Sequence, residues 1–362
     1  MSSRAGNCMT APARYAASEL RRFAAGLLDA AGMEADKAAV MADVLVEADL
    51  LGHSTHGLAL LPRYLDEIAG GRMATSGKPH IVSDRGACVA WLGRNLPGLW
   101  LATRAIDMAV ERVRTYGTVS VAIGECHHLG GLAAYLPRVT EQGYMMFIAT
   151  SAPGVATVSP YGGTRAVLAP DPIAAGIPTG GDPILVDISA SITTNNMAGR
   201  LVREGRQYDH PWLMDAEGAA SHDPSVLQRG GTILPAGGMD HGQKGYGWAL
   251  LAEAFSQGLS GHGRADRVKG MYNAAFIQVI DPEAFAGLGA FTRQTGFLAE
   301  ACRTSPPRPG GAPVRVPGGS AVNHRRDAVE HGLRLDPAIL DTLRAPAATL
   351  AQEMPQPLEA TG

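Results

Sequence analysis

No run of five or more basic residues occurs anywhere in the 362-residue chain, and its net charge is only -3. A nucleic-acid partner is therefore not expected, because phosphate binding needs a basic stripe. No apolar run reaches the roughly 18 residues that would span a bilayer, and no basic segment followed by an apolar one opens the sequence. No membrane partner is expected, and these absences together point to a soluble, cytoplasmic protein. Cysteine is scarce: Cys8, Cys88, Cys126 and Cys302 are scattered, with no C-x-x-C. That pattern fits reduced thiols better than a disulfide framework. No internal repeat is visible. A G-x-G-x-x-G following a strand is also missing, so a Rossmann fold has no support.

What is present describes a globular chain. Hydrophobic residues make up 46% and charged residues 18%, which excludes disorder, and 45 glycines with 24 prolines imply many turns. The length suffices for two domains or one large one. Apolar residues recur at helical spacing over 13–31, 36–51 and 58–69, with Gly32 and Gly52 as stops and Pro62 in a first turn. From Ser76 the pattern changes. Strands are expected at 81–82, 88–92, 118–123, 145–150, 173–177, 184–188 and 272–280, and helices at 99–116, 130–142, 192–203, 246–259 and 282–302. Residues 124–129 and 205–243 read as loops, as does 304–320, with short helices at 327–331 and 336–343. Residues 1–12 read as loose.

Three stretches carry chemistry. Gly52-His53-Ser54-Thr55-His56-Gly57 lies between two helical patterns, where side chains can converge on a ligand. Imidazole titrates near neutrality, so His56 can give a proton to a carbonyl accepting hydride or take one in the reverse oxidation. The same residues could simply cap a helix. Cys126-His127-His128-Leu129-Gly130-Gly131 follows a strand pattern. One histidine there could face a ligand, or it could be buried and satisfied by backbone groups. Adjacent histidines do not naturally chelate one metal, and no second ligand pair at a familiar spacing appears, so no metal is expected. Gly242-Gln243-Lys244-Gly245-Tyr246-Gly247 opens a helix, where a helix N-terminus and the Lys244 charge suit a phosphate or carboxylate. Asp187 and Ser151 each follow a strand, where a carboxylate or hydroxyl could serve a site or merely meet solvent.

Together these stretches resemble the malate/L-lactate dehydrogenase type-2 family, over about residues 15 to 340. Gly52 to Gly57 with Pro62-Arg63-Tyr64 is similar to the family's G-x-x-S-H-G and the helix after it. His127-His128-Leu129-Gly130 resembles N-H-F-G, and Asp187-Ile188-Ser189-Ala190-Ser191 resembles D-M-A-T-S. Asp215 with Asp223-Pro224, Lys244-Gly245-Tyr246-Gly247 and Val316-Pro317-Gly318 resemble three later motifs.

The resemblance implies an α/β (α+β) fold: a non-Rossmann dinucleotide-binding central α/β domain, and a helical domain built from both chain ends. The expected boundaries are 13–75 and 281–350 for the helical part and 76–280 for the central part. It implies NAD or NADP as cofactor, a small carboxylic acid as substrate, and a homodimer. His56 and His128 map to acid/base positions, with Asp187 assisting. Ser54, Thr55 and Arg63 map to the substrate side. Ser151, Asp187, Ile188, Ser189, Lys244, Gly245, Pro317 and Gly318 map to the cofactor side. Departures are Thr55 for serine, Leu60 for arginine, His127 for asparagine, Asp171 within Ala169-Pro170-Asp171-Pro172 for G-T-N-P, and Gly319 for glutamate. They point to an unusual substrate or to reduced activity. The leading expectation is hydride transfer between nicotinamide and a 2-hydroxy or 2-oxo acid. A cyclic imino-acid reductase is the near variant, since a protonated imine nitrogen already activates its carbon. A nucleotide-binding protein without turnover, or a metal-dependent hydrolase built on the His/Cys clusters, would be of another class.

Overall fold

The computed structural model describes residues 13–359. Helix α1 (Ala17–Ala30) is amphipathic and buries Leu20, Phe23, Ala24, Leu27 and Leu28, whereas α2 (Ala35–Leu50) is buried over most of its surface. The chain then makes two tight 3-10 turns, Ser54–His56 and Leu58–Leu60, before α3 (Leu61–Ala69). Pro62 lies in the first turn of α3, where its missing N–H costs nothing.

Seven strands form one mixed sheet: β1 (His80–Asp84), β2 (Cys88–Leu92), β3 (Thr118–His127), β4 (Met145–Ser151), β5 (Ile173–Ile177), β6 (Ile184–Ile188) and β7 (Tyr272–Ile280). Their order is β1-β2-β3-β7-β4-β5-β6. Only β2 and β3 pair in parallel, linked by α4 (Gly98–Tyr116). Every other neighbouring pair in this sheet is antiparallel, which a doubly wound dinucleotide fold would not allow. Burial explains the composition of the middle strands: β3, β4 and β7 are covered on both faces and run nearly continuously apolar. One core joins α1 to α4 with this sheet.

The remaining helices are α5 (Asn195–Glu204), α6 (Gln243–Glu253), α7 (Leu288–Arg303), α8 (Gly319–His331) and α9 (Pro337–Thr349). The two flanks of the chain meet. Arg14–Tyr15 pairs antiparallel with Leu333–Arg334, α8 packs on α2, and α9 packs on α3.

Several expectations need correction. β3 does not stop at Ile123. Its pairing with β7 slips between Asn273 and Ala275, and Glu125 has φ +50. A bulge at Gly124–Glu125 therefore interrupts the alternation, and the strand resumes through Cys126 and His127. Residues 130–142 are not one helix but a 3-10 turn, Leu132–Tyr135, and one α-turn, Pro137–Thr140. Gly130 at φ +71 and the missing N–H of Pro137 account for the break. Residues 205–243 are not a bare loop. They hold a small sheet of two-residue strands (Leu213–Met214, Ala220–Ser221, Thr232–Ile233) over a second core that includes Leu213, Val226 and Ile233. Strands this short leave no period to read. α6 begins at Gln243, three residues before the expected start, and its last stretch, Ala254–Gly258, is a π-turn. α8 begins at Gly319, well before residue 327.

Among the described residues, no helix is long and apolar enough to cross a membrane. Cys88, Cys126 and Cys302 are free thiols. Cys8 and the expected loose segment 1–12 lie outside the described residues.

Candidate active site

Two of the three sequence stretches, 52–57 and 126–131, meet, and Asp187 joins them from the sheet. Asp187 stands near the end of β6, and its Oδ2 accepts the Ala133 N–H at 2.9 Å. That bond ties the strand to the segment just after His128. His56 sits in the Ser54–His56 turn, with Nδ1 2.9 Å from the Thr55 hydroxyl. Gly131 gives it room, since a Cβ there would stand 3.2 Å from the His56 Cβ. The His56 and His128 rings stack, with centroids 6.3 Å apart and planes 23° from parallel.

The turn that carries His56 rests on Asp49, which is buried in α2. Asp49 Oδ2 accepts the Leu58 N–H at 2.8 Å. Gly57 must be glycine, because any Cβ would meet the Asp49 carboxyl at 2.2 Å. Burial pushes the Asp49 carboxyl up to about 7, against the Leu58 bond, which lowers it. Nothing along the chain marks this residue directly as an anchor. Its one signal is a charge four residues after Leu45, on the apolar face of α2.

His128 follows β3, and its Nδ1 meets the Tyr64 hydroxyl at 2.8 Å and the Gly130 N–H at 3.2 Å. Its Nε2 has no partner among the described residues and is not sealed from solvent. His127, its neighbour, is the buried one. Its ring lies edge-on to Tyr64 and Tyr272, and Nε2 is 3.3 Å from Glu67. The expected buried histidine is thus partnered by a carboxylate rather than by backbone groups, and its Nδ1 has no partner among the described residues.

Burial sets the electrostatics. It lowers His56 below the ordinary histidine value, partly offset by Asp187, which raises it. It pushes His128 down to about 3, with His56, His127 and Arg63 acting in the same direction. Burial also raises Asp187, against the Ala133 bond and the two histidines His53 and His56.

The other expected positions fall into two groups. Ser54, Thr55 and Arg63 are exposed around His56 and Tyr64. Gly245 lets α6 lie against the chain just beyond Asp187, since a Cβ would be 2.4 Å from the Ala190 carbonyl oxygen and 2.2 Å from Ala236 N. Pro317 and Gly318 clamp β6 from outside: the Pro317 carbonyl accepts from Leu185 N at 3.1 Å, and Gly318 has φ +86 against Leu185. Ile188 is exposed at the strand end, and the Ser189 hydroxyl turns back to the Ser191 carbonyl. Lys244 is exposed in the first turn of α6. The Gly245 N–H is taken by the Ala236 carbonyl, so the positive feature there is the Lys244 charge rather than that N–H. Ser151 does not reach the others; its hydroxyl is buried against Ser256 and Gln257, at 2.8 Å each. Among the described residues no group of three His, Cys, Asp or Glu side chains is arranged to hold a metal.

Comparison with known proteins places the chain. The chain is 30% identical to an L-lactate dehydrogenase of Cupriavidus necator, covering 92% of this chain and 97% of that one. It is 28% identical to an L-sulfolactate dehydrogenase of Methanothermobacter thermautotrophicus, covering 88% and 91%. The fold matches the crystal structure of a malate dehydrogenase from Entamoeba histolytica with a TM-score of 0.88, over 95% of this chain and all of that one, at 23% identity. These likenesses define the class as an oxidoreductase acting on CH–OH groups. The family model for malate/L-lactate dehydrogenase matches residues 15–344, and the chain belongs to that family of hydroxy-acid dehydrogenases.

Proposed function

We propose that the protein transfers a hydride between NAD or NADP and a small 2-hydroxy or 2-oxo acid, with His56 moving the proton. The observation that carries this reading is the stacked pair His56 and His128, with Asp187 beside it. In the oxidation direction His56, neutral near pH 7, takes the hydroxyl proton as C2 loses its hydride. The Asp187 carboxylate favours the imidazolium that forms. In reduction the same imidazolium returns the proton to the carbonyl oxygen. His128 presents Nε2 to the substrate oxygen, and Arg63, with the Ser54 and Thr55 hydroxyls, supplies contacts for the acid group. The bound nicotinamide accepts or delivers the hydride.

The residues suited to a dinucleotide fit that role. Lys244 offers a free charge for its phosphates, Gly247 leaves open space where a Cβ would stand, and Ile188 offers an exposed apolar side chain. Asp187, Ser189, Gly245, Pro317 and Gly318 lie on or against β6 and the turn after it, and this reading assigns them to the cofactor side, whereas Ser151, buried against Ser256 and Gln257, has no direct part in it. We also propose a homodimer. Trp248, Leu251, Phe255 and Leu259 are exposed along α6 and the π-turn after it, and Phe297 and Leu298 are exposed on α7; large apolar side chains grouped on an exposed helix suit a protein–protein contact. The division into a helical part, 13–75 with 281–350, and a central part, 76–280, is supported by the packing of α8 on α2 and α9 on α3.

The test is the absorbance of reduced nicotinamide, with NADH and NADPH tried separately against 2-oxo acids and cyclic imino acids. Turnover of a 2-oxo acid that disappears in His56→Ala, with cofactor binding intact, is expected. Turnover of the imines alone would move the substrate class, and binding of neither nucleotide would remove the reading.

A further inference from the structure

The two stacked histidines need not share one job, and the groups around His128 distinguish them. A backbone N–H can only donate, so the Gly130 contact at 3.2 Å makes His128 Nδ1 an acceptor with a free lone pair. The Tyr64 hydroxyl, 2.8 Å from the same nitrogen, must then donate as well. A neutral ring whose Nδ1 accepts carries its hydrogen on Nε2. We propose that Tyr64 is a positioning residue that fixes His128 as a neutral imidazole with its proton on Nε2, so that His128 serves as a hydrogen-bond donor and His56 alone moves the proton.

The surroundings all favour this state. Tyr64 is wholly buried in α3, and its hydroxyl has no other partner among the described residues. Burial holds its phenol far above the usual range, so the O–H stays on. The groups facing His128 are His56 from the turn, His127 from β3 and Arg63 from α3, and each opposes a second proton on the ring. The backbone is pinned from behind. Gly98 at the start of α4 is so close that a Cβ would meet the His127 carbonyl at 2.1 Å and the His128 carbonyl at 2.6 Å. A ring held this way cannot act as acid and recover, because it has only the proton of a neutral imidazole to give. It can polarise a carbonyl without changing its own charge.

The inference rests on the dehydrogenase reading for the role of His128, but not for its tautomer. The experiment therefore has two arms. Protein labelled with 15N at histidine, without substrate, should show His128 with bare Nδ1 and protonated Nε2, unchanged between about pH 5 and 8. In Tyr64→Phe, with only the Gly130 donor left, the two tautomers should mix. In the turnover arm, with NADH and pyruvate, Tyr64→Phe should lower kcat about tenfold with KM nearly unchanged. His128→Gln, which keeps an N–H donor, should retain activity within about thirtyfold of wild type, while His56→Gln loses about a thousandfold. A His128 that titrates near neutrality, or carries its proton on Nδ1, overturns the proposal. So does a His128→Gln variant as inactive as His56→Gln, or a Tyr64→Phe variant with an unchanged spectrum and kcat. If no acid or imine is turned over, the dehydrogenase reading fails, and the Tyr64–His128 assignment stands or falls on the nitrogen shifts alone.

Discussion

The turn at 52–57 and the strand end at 126–131 each present a histidine to the same space, yet they are built in opposite ways. The first is an exposed 3-10 turn anchored from below by one buried carboxylate, Asp49, through a single N–H. The second is the continuation of a mostly buried strand, with its ring nitrogen held by two donors and its backbone closed off by α4. His56 has a carboxylate neighbour that favours its charge, whereas His128 has only neutral or positive ones. The lesson is that residue type does not assign a chemical role. On the proposed reading, the anchoring groups decide which ring changes charge during turnover and which does not.

That contrast can be broken in stages. The largest effect is expected from His56→Ala, which should lower kcat by about 10²- to 10⁴-fold while nucleotide binding, read by fluorescence titration, holds. His128→Ala should cost about 10²- to 10³-fold, as for a lost donor to a developing oxyanion, and should leave the pH profile of the residual rate unmoved. Asp49→Asn probes the anchor of the exposed turn through stability. The folded protein holds the Asp49 proton up to about pH 7, whereas the unfolded chain releases it near the ordinary value of 3.8. The folded state therefore binds more protons across that window, so the wild type loses stability as pH rises through it. Denaturant melts should show little advantage for Asp49→Asn at pH 4, then an advantage growing by on the order of 2–3 kcal/mol between pH 5 and pH 8. A constant difference at all pH values would show that the Asp49 carboxyl does not titrate there.

The smallest change is expected at Asp187. Asp187→Asn should lower kcat of oxidation about tenfold, since the imidazolium on His56 loses its nearest carboxylate. The sign of the pH dependence follows from the base role. His56 is lowered below the ordinary histidine value, so the wild-type oxidation rate should hold through the ordinary histidine range and fall only at lower pH. Without Asp187 that limb should move to still lower pH.

Much of the candidate site was legible because its motifs are local. Gly52 to Gly57, the adjacent histidines and Lys244-Gly245-Tyr246-Gly247 each sit at an element boundary, where turn residues mark the change of period. The Pro62 turn and the 173–177/184–188 hairpin could be read for the same reason. The bulge in β3 could not, because one extra residue at Gly124–Glu125 reverses the alternation, and the run beyond it then looks like a loop. Tyr64 entered only as part of the Pro62-Arg63-Tyr64 match, since nothing along α3 reveals that its hydroxyl points at a residue 64 positions away. Asp49 and Glu67 were hidden for the same reason: each partner comes from outside its helix.

The antiparallel bridge between Arg14–Tyr15 and Leu333–Arg334, with Leu358 N also donating to the Arg14 carbonyl at 2.7 Å, has a consequence for how the molecule is made. Synthesis runs from α1 toward α9, so the helices that carry the His56 turn leave the ribosome long before α8 and α9 exist to cover them. The sheet, contributed by residues 80–280, can close while α2 and α3 still have bare flanks. The segment that carries His56 is thus among the first parts translated and among the last to be covered, and a nascent chain stalled before residue 333 would lack the packing of α9 on α3.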